Sequence, residues 1–157
     1  MKITLIFTGK TTKKYIIEGT SEYEKRIKRY TNFKIVVIPE YKASKKTPIK
    51  VIKEKEGEIL LKKISNSDFL VLLDEGGKLF NSKEFAGFIE NKTITGVKNL
   101  VFVVGGAYGF SETIYKRANF KLSLSKMTFS HQPVRILFAE QLYRAFTIIK
   151  GEPYHNE

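Results

Sequence analysis

Glycines cluster late in this chain, at Val104-Gly105-Gly106-Ala107-Tyr108-Gly109-Phe110-Ser111, directly after an apolar run. Glycine after a strand permits positive φ angles and a close backbone approach to a ligand. In open α/β sheets, ligands settle outside the carboxyl ends of the strands. The same residues also read as a tight turn ending in a serine helix cap. The stretch from Leu122 to Arg135 carries little charge and many hydroxyls, and it holds His131. A long ordered loop of that composition usually serves function. His131 is a candidate base, with a structural hydrogen bond near a helix start as the preferred reading. The chain ends Gly151-Glu152-Pro153-Tyr154-His155-Asn156-Glu157, where an aromatic residue and one of only two histidines follow a helix stop.

Other constellations carry less. Gly9-Lys10-Thr11 imitates the end of a phosphate-binding loop, but Thr4 stands where the first glycine of that motif belongs. Asp74 and Glu75 are adjacent acids, and neighbours in sequence rarely face one substrate atom; both read as solvated turn residues. Glu140 and Arg144 stand at i, i+4, the spacing of a surface ion pair worth about 0.3–0.5 kcal/mol. Arg135 and Arg144 are alternatively free to face phosphate.

The elements that must position these residues alternate in type. Ile3–Phe7, Phe33–Ile38, Phe69–Leu73, Leu100–Val104 and a short run near Phe120–Leu122 read as strands covered on both faces, since polar alternation is scarce. Helical stripes lie between them. Tyr23, Ile27 and Tyr30 mark the first, and Ile49, Ile52, Ile59, Leu60 and Ile64 the second, weakened by Gly57. Asn81-x-x-Glu84 predicts a capping box opening the third. A short helix starts near Ser111, and the longest runs from Val134 to Lys150. Its apolar face is wide enough for a sheet and, in part, for a partner subunit. This pattern predicts a single-domain α/β fold over residues 1–157 with a mainly parallel sheet. Lys42–Pro48 is the expected mobile loop.

Composition narrows the chemistry. The absence of cysteine excludes disulfides, thiolate zinc sites, iron–sulfur clusters and thiol nucleophiles. It also excludes the covalent thiolate route to C5 of pyrimidines. No apolar run approaches the roughly 18 residues that cross a bilayer, and Met1–Thr8 reads as a strand and not as a signal peptide. A cytoplasmic protein without a membrane partner is expected. The net charge is +12, with 17 Lys/Arg against 7 Asp/Glu in residues 1–63 and 11 against 9 in residues 64–157. A field of that sign attracts polyanions. A lysine-rich surface without a partner is the plainer alternative.

Five segments occur in register: Leu73-Asp74-Glu75-x-Gly77-Lys78, Val103-Val104-Gly105-Gly106, Leu122 to Phe129 with His131-Gln132 and Arg135, Glu140 to Ala145, and Pro153-Tyr154-His155. Together they resemble the SPOUT, or α/β-knot, methyltransferases, and among these the bacterial enzymes that methylate N3 of a pseudouridine in large-subunit (23S) ribosomal RNA. The resemblance spans essentially the whole chain. It implies a sheet flanked by helices whose C-terminal part is threaded into a trefoil knot, an arrangement that topology rules would not propose. It implies S-adenosyl-L-methionine as methyl donor, with Leu73, Gly105, Leu124, Ser125, Lys126, Met127, Thr128 and Phe129 at the cofactor site. It implies a homodimer in which the tail of one subunit completes the site of the other, acting on assembled ribosomes and needing no metal. Tyr154, His155 and Arg144 are then the expected catalytic groups, and Arg135, Lys45 and Lys46 the expected RNA contacts. Two positions depart from the family pattern: Ser130 replaces a proline, and Asn156 replaces a basic residue after Tyr-His. Two alternatives compete, a non-enzymatic basic ribosome-associated or assembly factor and a flavodoxin-like nucleotide switch. The missing early phosphate loop weighs against the switch.

Overall fold

Apolar runs too short for helices and rich in Ile, Val, Leu and Phe build one five-stranded sheet in the computed structural model, which describes residues 1–156. The strands are β1 (Lys2–Thr8), β2 (Asn32–Ile38), β3 (Phe69–Leu79), β4 (Asn99–Val104) and β5 (Phe120–Ser123). Their order is β2-β1-β4-β3-β5, and every pair is parallel. Helices alternate with them: α1 (Lys14–Ile27), α2 (Ile49–Leu61), α3 (Ser82–Ile94), α4 (Glu112–Arg117) and α5 (Pro133–Ile149). All the expected strands and helices are present.

Both faces of the sheet are covered, which explains the unbroken apolarity of the strands. On one face α5 lies between α1 and α3, and Phe102, Phe138, Leu142 and Ala145 form the centre of the larger core. On the other face α2 and α4 pack over Ile6, Leu70, Leu72 and Val103. Gly57, read as a weak point, is where α2 meets α4: a Cβ there would lie 2.7 Å from Ser111 Oγ and 3.2 Å from Ile114. The glycine permits the contact and the helix runs through it. The capping box at Asn81 and Glu84 is formed, as is the Ser111 cap.

Two local expectations change. Tyr30 lies past the end of α1, which caps at Lys28, and stacks on Phe146 from the following turn. Asp74–Gly77 is not a solvated turn but an irregularity inside the eleven-residue β3, where pairing with β5 jumps from Leu73 to Lys78. A bulge of this kind re-aims side chains at the sheet end. Gly77 is required there, because a Cβ would come within 2.6–2.7 Å of the Lys121 and Leu122 backbone.

Candidate functional site

The carboxyl ends of β3, β4 and β5 open onto a cavity of about 550 Å³, within the roughly 300–1,000 Å³ typical of small-molecule sites. Its walls come from the β3 bulge, the glycine-rich loop after β4 and the loop between β5 and α5. Leu73, Val104 and Leu122 give it apolar surface. Gly105 lies against the Phe110 ring, so close that an added Cβ would sit 3.0 Å from that ring. Gly109, at φ +79°, turns the loop back and pairs with Gly106. A cradle of bare backbone beside an apolar wall suits a flat heterocycle with a polar rim, and an adenosyl group has that form.

Seven of the eight residues expected at a cofactor site line this one cavity: Leu73, Gly105, Leu124, Ser125, Met127, Thr128 and Phe129. Lys126 does not line it and points to solvent. The loop holding these residues is shaped by its own hydroxyls. Ser123 Oγ donates to the Ser125 carbonyl at 2.8 Å, and Ser125 Oγ accepts from the Met127 amide at 2.9 Å. Thr128 donates to the Glu75 carboxylate at 2.6 Å, joining this loop to the β3 bulge across the cavity. Tyr115 donates a hydrogen bond to Asp74. Burial first, and the Asp74 carboxylate second, push the Tyr115 phenol well above its ordinary pKa. Both acids of the bulge are therefore occupied by hydroxyl donors, a role their adjacency in sequence did not reveal.

Arg135 is corrected from an RNA contact to an internal brace. It is fully buried, and its guanidinium donates to the carbonyls of Thr8, Gly9 and His131 and to the Thr11 hydroxyl, at 2.8–3.2 Å. It also lies over the Phe7 ring at 4.6 Å. Burial lowers its pKa and the Glu40 charge opposes that, but a guanidinium stays cationic either way. Four of its five N–H donors are taken within the chain, and full burial keeps the group from a phosphate on the surface. Lys45 and Lys46 are exposed as expected, in a turn closed by Ser44 and Thr47.

The tail folds back along α5. The Glu152 amide donates to the Thr147 carbonyl, and Tyr30 donates to the Glu152 carboxylate. Tyr154 packs on Tyr143 at 4.8 Å, lies under the Arg144 guanidinium and donates to Glu140 at 3.2 Å. Burial, then a hydrogen bond with Tyr23, then the Glu140 charge raise the Tyr154 pKa strongly, so the phenol keeps its proton. Glu140 and Arg144 form a half-buried pair rather than an ordinary surface one, and Arg144 Nη1 donates to His155 Nδ1 at 3.4 Å. Arginine has no acceptor, so Nδ1 of His155 takes that bond with its lone pair. In the neutral ring the proton then sits on Nε2. Tyr154, His155 and Arg144 thus form one cluster, but apart from the cavity. Arg144 is ten residues along α5 from Val134, which lines the cavity, and that is about 15 Å of helix.

A family model described as a predicted SPOUT methyltransferase matches residues 1–155. A protein of Christiangramia forsetii named ribosomal RNA large subunit methyltransferase H is 53% identical over 156 residues, covering 99% of each chain. One of the same name from Parabacteroides distasonis is 54% identical over 157 residues, covering 100% of each. A solved structure, a probable methyltransferase from Bordetella pertussis Tohama I, superposes with a TM-score of 0.53 at 12% identity, covering 92% of this chain and 93% of that one, a likeness of fold alone. With a full-length family match and relatives above half identity, the chain belongs to the SPOUT methyltransferases, enzymes that use S-adenosyl-L-methionine as methyl donor.

Proposed function

We propose that this chain methylates N3 of a pseudouridine in large-subunit ribosomal RNA, on assembled ribosomes, as a cytoplasmic homodimer with a knotted C-terminal half. The observation that carries the substrate class is identity above one half, along the whole length, to proteins named for that RNA. Support for threading comes from the path of the chain. After the edge strand β5 the loop to α5 lines one cavity with Leu73 of β3 and Val104 of β4, and Arg135 then fixes α5 to the end of β1.

S-adenosyl-L-methionine supplies an activated methyl on a sulfonium, so the protein's task is alignment, exclusion of water and handling of the N3 proton. Leu73, Gly105 and the Leu124–Phe129 loop hold the donor, with Gly105 allowing close backbone approach. His155 presents an Nε2–H donor, and Tyr154 keeps a phenolic proton, given to Glu140 in the free chain, that a bound base would draw to itself. They suit stabilisation of the charge that builds on the base when N3 loses its proton. Arg144 adds a cation. Lys45 and Lys46 grip phosphates.

The tail cluster and the cavity lie about 15 Å of helix apart within one chain, so they meet across two copies. The exposed Tyr15 on α1 and Leu137 on α5 give apolar surface for that pairing. Subunit complementation tests the arrangement. Gly105→Val and His155→Ala homodimers should each be inactive toward ribosomes, and isolated mixed dimers should regain about half of wild-type activity, one of the two sites being intact in each. No recovery in verified mixed dimers would overturn the shared site.

A further inference from the structure

Beside the cofactor cavity lies a second hollow, an open groove of about 1,110 Å³ between α1 and the end of β2. Ile17, Ile35 and Val37 give it an apolar floor, and Lys10 and Lys42 stand at its rim with Glu24 and Glu40. His131 is the only described residue that lines both the groove and the cofactor cavity. Its backbone is fixed from two directions. Arg135 Nε donates to its carbonyl at 3.2 Å. The side chain of the next residue, Gln132, donates to the Lys10 carbonyl and accepts from the Thr12 amide, both at 3.1 Å. The imidazole itself makes no hydrogen bond with any described residue. This differs from the structural hydrogen bond expected from sequence.

The remaining ionisable groups of the cavity are engaged or ill-suited. Asp74 accepts from Tyr115 and from the Gly76 amide, Glu75 accepts from Thr128, and Tyr115 holds its proton tightly. Tyr108 is half-exposed on the outer turn of the glycine loop. His155 presents Nε2–H, a donor. A base with a lone pair to offer at the threshold between the two hollows is therefore His131. We propose that His131 is a catalytic residue that contacts the target base and accepts its N3 proton, a role that rests on the methyltransferase reading above. The proton passes from N3 to the imidazole. The electron pair left on nitrogen forms the N–CH3 bond, and the pair of the breaking C–S bond stays on sulfur. The imidazolium then gives its proton to water. Positioned general bases typically contribute about 10²–10⁴-fold, and the open groove lets small solutes reach the ring position.

The test compares wild type, His131→Ala and His131→Gln in single-turnover methylation of ribosomes at saturating donor, with calorimetric binding of S-adenosylmethionine and thermal unfolding alongside. The expected result is a loss of about 100-fold or more in both variants, donor affinity within about threefold of wild type, and partial recovery of His131→Ala by added imidazole. A wild-type protein that neither binds the donor nor methylates ribosomes would overturn the methyltransferase reading itself. With an active wild type, near-normal rates in the variants, matching loss of donor affinity, or a loss that imidazole does not relieve would each overturn the proton-acceptor role. An independent readout needs no turnover: with only two histidines in the chain, the ring resonances of His131 should shift when a short uridine-containing RNA is added without donor. Unmoved His131 resonances at saturating RNA would contradict the contact.

Discussion

Arg135 Nη1 donates to the Gly9 carbonyl at 2.9 Å, so the first turn of α5 is tied to the end of β1 across most of the chain's length. One buried guanidinium thereby sets where α5 starts, and with it where His131 and the cavity-lining Leu124–Phe129 loop sit.

Replacing Arg135 by alanine should lower folding stability by about 3 kcal/mol, because buried carbonyls lose a charged donor and the space above Phe7 empties. Urea unfolding measures this. The same variant, where folded, should keep the wild-type salt dependence of RNA binding. A shallower salt slope would return Arg135 to the RNA face.

Much of this arrangement was legible in the sequence. All the strands and helices follow from apolar runs, stripes and caps at Asn81 and Ser111, because local periodicity and capping chemistry fix them. Seven of the eight cofactor residues that the family resemblance implied line one cavity, and for the Gly105 loop the rule that α/β folds bind ligands after strands pointed the same way. Burial of Arg135 was not legible, since an arginine at a helix start reads the same whether it faces phosphate or carbonyls from β1. Nor were the Glu75–Thr128 and Asp74–Tyr115 pairs, which join residues 53 and 41 positions apart. The bulge at Asp74–Gly77 left a faint signal, two glycines inside a strand pattern.

Gly77→Ala should be among the most damaging small substitutions in the chain. Its Cβ would press on backbone of β5 rather than on a movable side chain, so a cost of roughly 1–3 kcal/mol is expected. Donor affinity should fall with it, because β5 leads into the loop that lines the proposed donor cavity. An alanine variant with unchanged melting temperature would show that β5 can move aside.

Glu56 gives a pH signature. Burial, and then the Glu40 charge, raise its pKa, while a hydrogen bond from the Tyr41 backbone pulls it down more weakly. With the folded value above the unfolded one, the native state holds the proton longer. Stability from this group is full below the ordinary glutamate range and falls as pH rises through the folded value. Glu56→Gln should therefore melt higher than wild type at neutral pH and show a flatter decline from acid to neutral. An equal or lower melting temperature at neutral pH would contradict this.

Lys45 and Lys46 are exposed on the basic amino-terminal part of the chain. Replacing both by alanine should weaken RNA binding at low salt and reduce the slope of log affinity against log salt by about 0.7–0.9 per lost phosphate contact. Donor affinity should not change. An unaltered slope would place the RNA on another face.

The glycine-walled cavity at the ends of β3, β4 and β5 is the proposed seat of the methyl donor. Calorimetric titration with S-adenosylmethionine, and separately with S-adenosylhomocysteine, tests it most directly, using wild type and Gly105→Val, whose side chain would press on Phe110 and fill the cradle. Both ligands should bind wild type saturably, and a folded Gly105→Val should bind them at least tenfold more weakly. Absence of binding to folded wild type, or equal binding to the two proteins, would contradict it.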